Sequence, residues 1–331
     1  MSVFSVKRLS VAAVALVSFG GAWAADISGA GATFPYPIYS KWADTYKQQT
    51  GIGLNYQSIG SGGGIKQIKA KTVTFGASDM PLEAKDLEEA GLVQFPMIIG
   101  GVVPVVNIKG VQGGQMVLDG TTVAQIYLGE ITKWDDARIK KLNPSLALPA
   151  TAIAPIYRSD GSGTNFLFSN YLSNSYPKFK ETIGAKGNEG VANMTTQTDG
   201  AIGYVEYAYA KQNKMAYTDL INSAGKKVAP DAESFQSAAA NADWAHAPGY
   251  HLILTNQAGE KSWPITGASF ILLYSTPPDP AATGAALKFF DWAFKNGAKM
   301  AADLDYVPLP DSLVSQVRNT WKTQIKGVPA I

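Results

Sequence analysis

The sequence predicts an α/β protein made of two lobes that are joined by short crossing strands. Strand-like and helix-like stretches alternate along the chain, which is the pattern of α/β architecture. The length of 331 residues corresponds to about two domains. No repeat, low-complexity tract or long Pro- or Ser-rich linker interrupts the chain. That continuity favours two lobes sharing strands over two domains on a tether.

The strands are predicted from hydrophobic periodicity. Residues 54–57 (Leu-Asn-Tyr-Gln) alternate apolar and polar side chains, as a half-buried strand does. The nearly continuous apolar runs around 102–106 and at 270–276 are typical of strands buried on both faces. We expect the crossings between the lobes near 102–107 and 269–275.

The clearest helices are predicted near the C-terminus. Behind Asp311, a candidate N-cap, apolar side chains recur every four residues at Leu313, Val317, Trp321 and Ile325. Leu287, Phe290 and Phe294 mark the preceding helix, which Gly297 is placed to end.

Residues 1–24 are predicted to be a cleaved secretory signal. Lys7 and Arg8 form its positive region, an apolar run extends to about Phe19, and residues 22–24 (Ala-Trp-Ala) form a small-x-small cleavage site. The alternative, an N-terminal membrane helix, is disfavoured because the run is too short to span a bilayer. A cysteine-linked lipid anchor is excluded because the sequence has no Cys. We therefore expect a freely diffusing protein of the periplasm.

The composition argues against several classes of site. Without Cys there is no disulfide, thiolate nucleophile or Cys-ligated metal, and we expect no cofactor. The two histidines, His246 and His251, show no catalytic or metal-ligand spacing and are expected on the surface or in packing. Loss of Lys7 and Arg8 with the signal would leave basic residues equal in number to the 26 acidic ones. Because no basic stripe is visible, nucleic acid is not an expected partner.

One local design recurs in three places, where glycines and hydroxyl residues precede a predicted helix. The segments are "GAGATFP" (29–35), "GSGGGIKQI" (60–68) and "RSDGSGTNF" (158–166). Helix N-termini expose unpaired N–H groups and the positive end of the helix dipole, so such turns suit oxyanions. None matches a P-loop, a dinucleotide fingerprint or a nucleophile elbow. Taken singly, each turn is better explained as a capped helix with a flexible loop.

Two charged positions near these turns also have structural explanations. Asp79 lies in "SDMPLE", where it could cap a helix that has Pro81 in its first turn. Arg158 and Asp160 are two residues apart, and an ion pair between them could be their whole role. Such a pair is also compatible with a ligand site, because it would fix the guanidinium.

Together these segments resemble the periplasmic phosphate-binding proteins of phosphate-specific ABC transporters. The resemblance extends from about Asp26 to Lys326, and its motifs are "GAGATFPYPIYSKWADTY", "IGSGGGIKQI", "FGASDMPL", "RSDGSGT", "GAIGYVEYAYA" and "LKFFDWAFKNGAK". It implies a type II periplasmic-binding-protein fold with a ligand cleft between the lobes. The expected lobes are residues 25–105 with 270–331 (lobe I) and residues 106–269 (lobe II).

The resemblance also implies a ligand set and partners. Phosphate would be held by Ala32, Thr33, Phe34, Ser61, Asp79, Arg158, Ser162, Gly163 and Thr164, with Asp160 orienting Arg158. No catalytic residue and no metal site are implied. The expected partners are inorganic phosphate and the permease subunits of a phosphate ABC transporter with its cytoplasmic ATPase, and a monomer is expected.

Asp79 carries the predicted selectivity. A carboxylate only accepts hydrogen bonds, phosphate keeps at least one proton near neutral pH, and sulfate keeps none. Two alternatives stay open: an exported phosphatase using the same turns, and the same fold tuned to sulfate or molybdate. Two departures from the family are a shortened segment at 181–191 and Tyr157, where relatives often carry a second Arg.

Overall fold

A computed structural model of the chain describes residues 27–179, 185–240 and 242–329. The predicted signal at 1–24 and residues 181–184 of the shortened segment lie outside the described residues. Among the described helices, none is both long enough and apolar enough to cross a bilayer.

Strands and helices alternate along most of the described chain, so the predicted α/β class is confirmed. The strands are β1 (Ile27–Gly31), β2 (Leu54–Ser58), β3 (Phe75–Ser78), β4 (Leu92–Val106), β5 (Val117–Asp119), β6 (Ala154–Pro155), β7 (Ala201–Glu206), β8 (Ala216–Tyr217), β9 (Asp219–Ile221), β10 (Lys227–Val228) and β11 (Thr266–Tyr274). The helices are α1 (Tyr36–Thr50), α2 (Ser61–Lys69), α3 (Ala84–Ala90), α4 (Gly120–Tyr127), α5 (Ala137–Leu142), α6 (Gly163–Ser175), α7 (Gly187–Gln197), α8 (Tyr207–Gln212), α9 (Ala232–Ala239), α10 (Pro280–Asn296), α11 (Ala298–Ala302) and α12 (Asp311–Gln324).

The helix ends near the C-terminus differ slightly from the sequence prediction. Helix α10 ends at Asn296 with Gly297 as its C-cap, as expected, and the Gly297 N–H donates to the Ala293 carbonyl. Helix α12 begins with Asp311 itself, and its N-cap is Pro310. The predicted capping role of Asp311 is therefore wrong by one position.

The 15-residue strand β4 connects the sheets of the two lobes. The strand order is β2-β1-β3-β11-β4-β7-β6, and β8 also pairs with β4. Up to Gly101, β4 pairs antiparallel with β11, and from Val102 onward it pairs antiparallel with β7. A second sheet, β10-β9-β5, lies apart from this path. All fifteen residues of β4 are buried, which explains why they form a nearly continuous apolar run.

Both faces of the lobe I sheet are covered by apolar side chains. One face carries a large aromatic cluster, in which the Phe290 ring meets Phe75 at 5.1 Å and Phe95 at 5.8 Å edge-on. A smaller cluster on the other face contains Ile68 of α2 and Leu272 of β11. Apolar packing therefore covers both faces of this sheet, and the loops at its strand ends are left to carry a site.

The glycine run of α2 allows that helix to approach the sheet backbone closely. A Cβ atom on Gly64 would lie 2.5 Å from the Gly31 Cα and 2.6 Å from the Ala30 carbonyl oxygen. Both are main-chain atoms, which cannot rotate away. Close packing of helix on strand therefore explains Gly64, beyond any role of the turn in ligand binding.

We expect Gly64→Ala to lower the free energy of unfolding by at least about 1–3 kcal/mol, because overpacking forces backbone shifts. Gly190→Ala is the matched control: Gly190 is also helical, and its Cβ would meet nothing nearer than 3.8 Å. That control should gain up to about 1 kcal/mol from helix propensity. Urea denaturation followed by circular dichroism measures both, and equal effects would contradict the packing explanation.

Candidate anion-binding site

The first two glycine turns and the segment that contains Asp79 meet at one edge of the lobe I sheet. Strands β2, β1 and β3 are parallel, so their carboxyl ends lie side by side. Residues 32–34 follow β1, Ser61 opens α2 just after β2, and Asp79 directly follows β3. The carboxyl edge of parallel strands is the usual place for ligands in α/β proteins.

Lobe II contributes the third glycine turn from the opposite side. Arg158 lies after β6, and residues 162–164 lead into α6. The Ser162 hydroxyl oxygen caps this helix by accepting from the Asn165 N–H at 2.9 Å. Each of the three turns therefore precedes a helix, as the sequence predicts.

The two lobes are in direct contact at these turns, so the cleft is closed. The Gly163 N–H donates to Ser61 Oγ at 3.1 Å, and the Gly62 N–H donates to the Gly161 carbonyl at 2.8 Å. The approach is so close that a Cβ on Gly62 would lie 3.0 Å from the Gly161 Cα. Glycines on both sides thus allow the backbones of the lobes to touch.

Arg158 is fixed by a two-point ion pair. Its Nε donates to Asp160 Oδ1 at 2.8 Å and its Nη2 donates to Asp160 Oδ2 at 2.7 Å. Burial alone would raise the pKa of Asp160, but the hydrogen bonds and charge of Arg158, together with the Gly187 N–H, lower it below its ordinary value. Asp160 therefore stays ionised. Arg158 is 3% exposed, and its Nη1 has no hydrogen-bond partner within the described residues.

Asp79 is the buried acceptor of the site. It is 1% exposed, and neither carboxyl oxygen has a hydrogen-bond partner among the described residues. Burial raises its pKa to about 7, although the nearby Ser269 hydroxyl, the Arg158 charge and the Ser61 hydroxyl each lower it. Ser269 Oγ lies near the carboxyl without the geometry of a hydrogen bond.

The capping alternative for Asp79 does not hold. The next helix, α3, begins at Ala84 after the N-cap Glu83, four residues beyond Asp79. A buried carboxyl that neither caps a helix nor forms an ion pair costs folding free energy unless a ligand completes its hydrogen bonding.

The Ser61 hydroxyl joins the two sides of the site. Its oxygen already accepts from the Asp79 N–H and the Gly163 N–H, both at 3.1 Å. A hydroxyl that accepts twice can use its single proton only as a donor. The Gly163 N–H, which the resemblance assigned to the ligand, donates to Ser61 in this closed structure.

The collected groups suit a small, partly protonated oxyanion. Arg158 Nη1 and the Ser61 hydroxyl offer donors, and Asp79 offers an acceptor that needs a proton from the ligand. Helices α2 and α6 also begin here, so the positive ends of their dipoles face the cleft. Such dipoles stabilise an anion without excess formal charge.

Several residues around the site were missed by the sequence reasoning. Asn188 donates to the Thr33 hydroxyl, the Tyr209 hydroxyl donates to the Thr33 carbonyl at 2.6 Å, and the Tyr306 hydroxyl donates to the Phe34 carbonyl at 2.7 Å. One signal was present: "GNEG" at 187–190 is a fourth glycine-bearing segment at a helix start.

The remaining candidates lie in other surroundings. His246 pairs with Asp243, and His251 Nε2 lies 3.2 Å from Glu83 Oε1. The Tyr157 hydroxyl donates to the Tyr127 carbonyl at 2.8 Å. Over the described ranges, no group of three or more His, Asp or Glu side chains is arranged to hold a metal ion.

Comparisons with known proteins identify the family of the chain. The family model of the PBP superfamily domain matches residues 20–296. The chain is 51% identical over 334 residues to the phosphate-binding protein PstS of Pasteurella multocida, covering 97% of both chains. The chain belongs to the PstS family of phosphate-binding proteins. The resemblance seen in the sequence is thereby confirmed.

Solved structures support the two-lobed fold of this PstS family member. One neighbour is a high-affinity periplasmic phosphate-binding protein (PfluDING) bound with phosphate, with a TM-score of 0.71 at 20% identity over 92% of this chain and 96% of that one. Another is an ABC-type phosphate transport receptor from Vibrio cholerae, with a TM-score of 0.53 at 17% identity over 86% of this chain and 100% of that one. At these identities the likeness concerns the fold alone.

We expect Arg158→Lys to weaken phosphate binding by about 1.5–3 kcal/mol, roughly ten- to hundredfold. Lysine cannot hold the two-point contact with Asp160 while also presenting a further donor to the cleft. The matched control is Arg318→Lys on α12, since Arg318 pairs with Asp291 and is 35% exposed. Isothermal titration with inorganic phosphate should show the control within about twofold of wild type, and equal losses would refute the assignment.

Proposed function

We propose that this chain captures inorganic phosphate in the interlobe cleft and delivers it to the permease of a phosphate ABC importer. The observation that carries the proposal is that one buried site holds two groups without a hydrogen-bond partner among the described residues, the Asp79 carboxyl and the Arg158 Nη1 donor. A tetrahedral ligand that both donates and accepts completes both groups at once. The relatives named phosphate-binding protein PstS support the same ligand.

The proposed ligand set is the one implied by the sequence motifs. Asp79 would accept the phosphate proton, Arg158 would donate to phosphate oxygens, and the serine and threonine hydroxyls with nearby main-chain N–H groups would complete the shell. Support comes from the convergence of these residues in the closed cleft, where Ser61 contacts Gly163 and Thr33 contacts Asn188. Asp160 would orient Arg158 through its two hydrogen bonds.

Export and delivery form the second part of the proposal. We expect residues 1–24 to direct the chain to the periplasm, where it would act as a monomer and meet the permease and its cytoplasmic ATPase. The lobes would be residues 25–105 with 270–331, and residues 106–269. The change of β4 partner at Val102 supports a division close to the first boundary.

Thermal unfolding with different anions tests the ligand. At about 1,000 times its dissociation constant, phosphate should add about 4 kcal/mol of stability. Arsenate should partly reproduce that effect, and sulfate should not. A protein stabilised equally by sulfate and phosphate would contradict the proposal.

A phosphatase is the competing function, and turnover separates the two. The Ser61 and Ser162 hydroxyl oxygens accept hydrogen bonds from main-chain N–H groups. Neither histidine pairs with these serines, since His246 pairs with Asp243 and His251 with Glu83. We propose a receptor without enzymatic activity, and sustained hydrolysis of a phosphomonoester would overturn that part.

Asp79 should make sulfate binding depend on pH. Its pKa in the closed cleft is raised to about 7, so the neutral carboxyl, which can donate to sulfate, is populated below that pH. Sulfate binding above that pH then takes up a proton, so its affinity should rise by up to about tenfold per pH unit as the pH falls toward about 7, and should level off below it, where the carboxyl is already protonated.

Asp79→Asn tests this linkage directly. An amide donates at any pH, so the variant should bind sulfate about tenfold or more tightly than wild type at about pH 8. Its affinity should then show little pH dependence. Asp86→Asn, on the exposed face of α3, should behave as wild type. Titration calorimetry with sulfate gives the comparison, and a wild-type affinity that is flat with pH would remove Asp79 from the selectivity argument.

A further inference from the structure

Asn188 makes hydrogen bonds to both lobes at the back of the cleft. It is 0% exposed and lies in the first turn of α7. Its Nδ2 donates to Thr33 Oγ1 at 2.7 Å and to Thr164 Oγ1 at 3.0 Å. Thr33 follows a strand of lobe I, whereas Thr164 belongs to α6 of lobe II.

The orientation of the Asn188 amide is fixed by the backbone. Its Oδ1 accepts from the Glu206 N–H at 2.9 Å, and a main-chain N–H can only donate. A flipped amide would place two donors against each other at Glu206. Both Nδ2 protons must therefore point at the two threonine hydroxyl oxygens, and the Asn188 N–H reaches Thr33 Oγ1 as well, at 3.2 Å.

This arrangement restricts where the threonine protons can point. Each hydroxyl oxygen already accepts from Asn188, so its single proton cannot point back at the amide. Thr33 is further held by lobe II, because the Tyr209 hydroxyl donates to its carbonyl. The two hydroxyls thus meet at one side chain only while the lobes are together.

We infer that Asn188 is a positioning residue, which orients the Thr33 and Thr164 hydroxyls as donors to the bound anion and joins the lobes in the closed state. The inference rests on the proposed function, since both protons are directed toward the phosphate that the cleft would hold. Asn188 itself does not contact the ligand. A hydroxyl can both donate and accept a hydrogen bond, and Asn188 occupies the acceptor side of both threonine hydroxyls, which leaves them to act as donors.

Asn188→Asp is the sharpest variant. It keeps the oxygen that accepts from Glu206 and replaces the two donors with a second acceptor, so both threonine protons would turn away from the ligand. Asn188→Leu removes the donors without adding charge and separates reorientation from repulsion. Each should weaken binding of inorganic phosphate by about ten- to hundredfold in calorimetric titration. Asn193→Asp, exposed on the same helix, is the control and should stay within about twofold.

A double-mutant cycle distinguishes positioning from a merely structural role. In the Thr33→Val/Thr164→Val background there are no hydroxyls to orient, so adding Asn188→Leu should change phosphate affinity by no more than about twofold. A structural role would give the same loss in both backgrounds. Unfolding midpoints without phosphate establish that each variant is folded. If Asn188→Leu does not fold, Asn188→Asp replaces it in the cycle.

The outcomes separate this inference from the proposed function. If the wild-type chain does not bind phosphate, the proposed function fails, and the inference fails with it. If the wild type binds and the folded Asn188 variants bind equally well, only the inference is overturned. Equal losses in both backgrounds also overturn it. Loss confined to the background with threonine hydroxyls supports it.

Discussion

Closing the cleft withdraws a carboxyl and a guanidinium donor from water without pairing them within the protein. Within the part of the chain that the structure describes, both carboxyl oxygens of Asp79 and the Nη1 nitrogen of Arg158 have no hydrogen-bond partner. Each such group carries a desolvation penalty that only a suitable partner offsets. The raised pKa of Asp79, to about 7, is the electrostatic expression of that penalty. Closure and ligand capture are therefore two aspects of one equilibrium, because the ligand supplies what the closed protein lacks.

The site achieves this with very little formal charge. Arg158 is largely neutralised by Asp160, and most of the remaining donors are hydroxyls and helix N-termini. Fixed dipoles attract an anion without attracting polyanions, which need an extended basic surface. Their directions also discriminate between anions, since a dipole fixed by its neighbours cannot turn to suit a ligand with different protonation.

The chemistry of each turn could be predicted from the sequence, but the meeting of these turns in one site could not. The three glycine turns could be predicted because glycines and hydroxyls at a helix start have a local physical meaning. Capping or ligand binding at Asp79 could not be decided locally, because both readings use the same residue type before a helix. Asn188 escaped notice since its importance lies in contacts with Thr33 and Thr164, far away in the chain. The predicted N-cap, Asp311, differs from the observed one by one residue, because helix ends are defined only to within one or two residues.

The meeting of Gly62 and Gly161 has a consequence for exchange with the surroundings. The lobes touch there through main-chain atoms, joined by a hydrogen bond of 2.8 Å, with no side chain between them. At this point of contact, the separation of the lobes is thus determined by main-chain atoms. A methyl group added at Gly62 would lie 3.0 Å from the Gly161 Cα, so the two backbones would have to move apart. The bound anion would then dissociate faster, although its individual contacts would keep their strength.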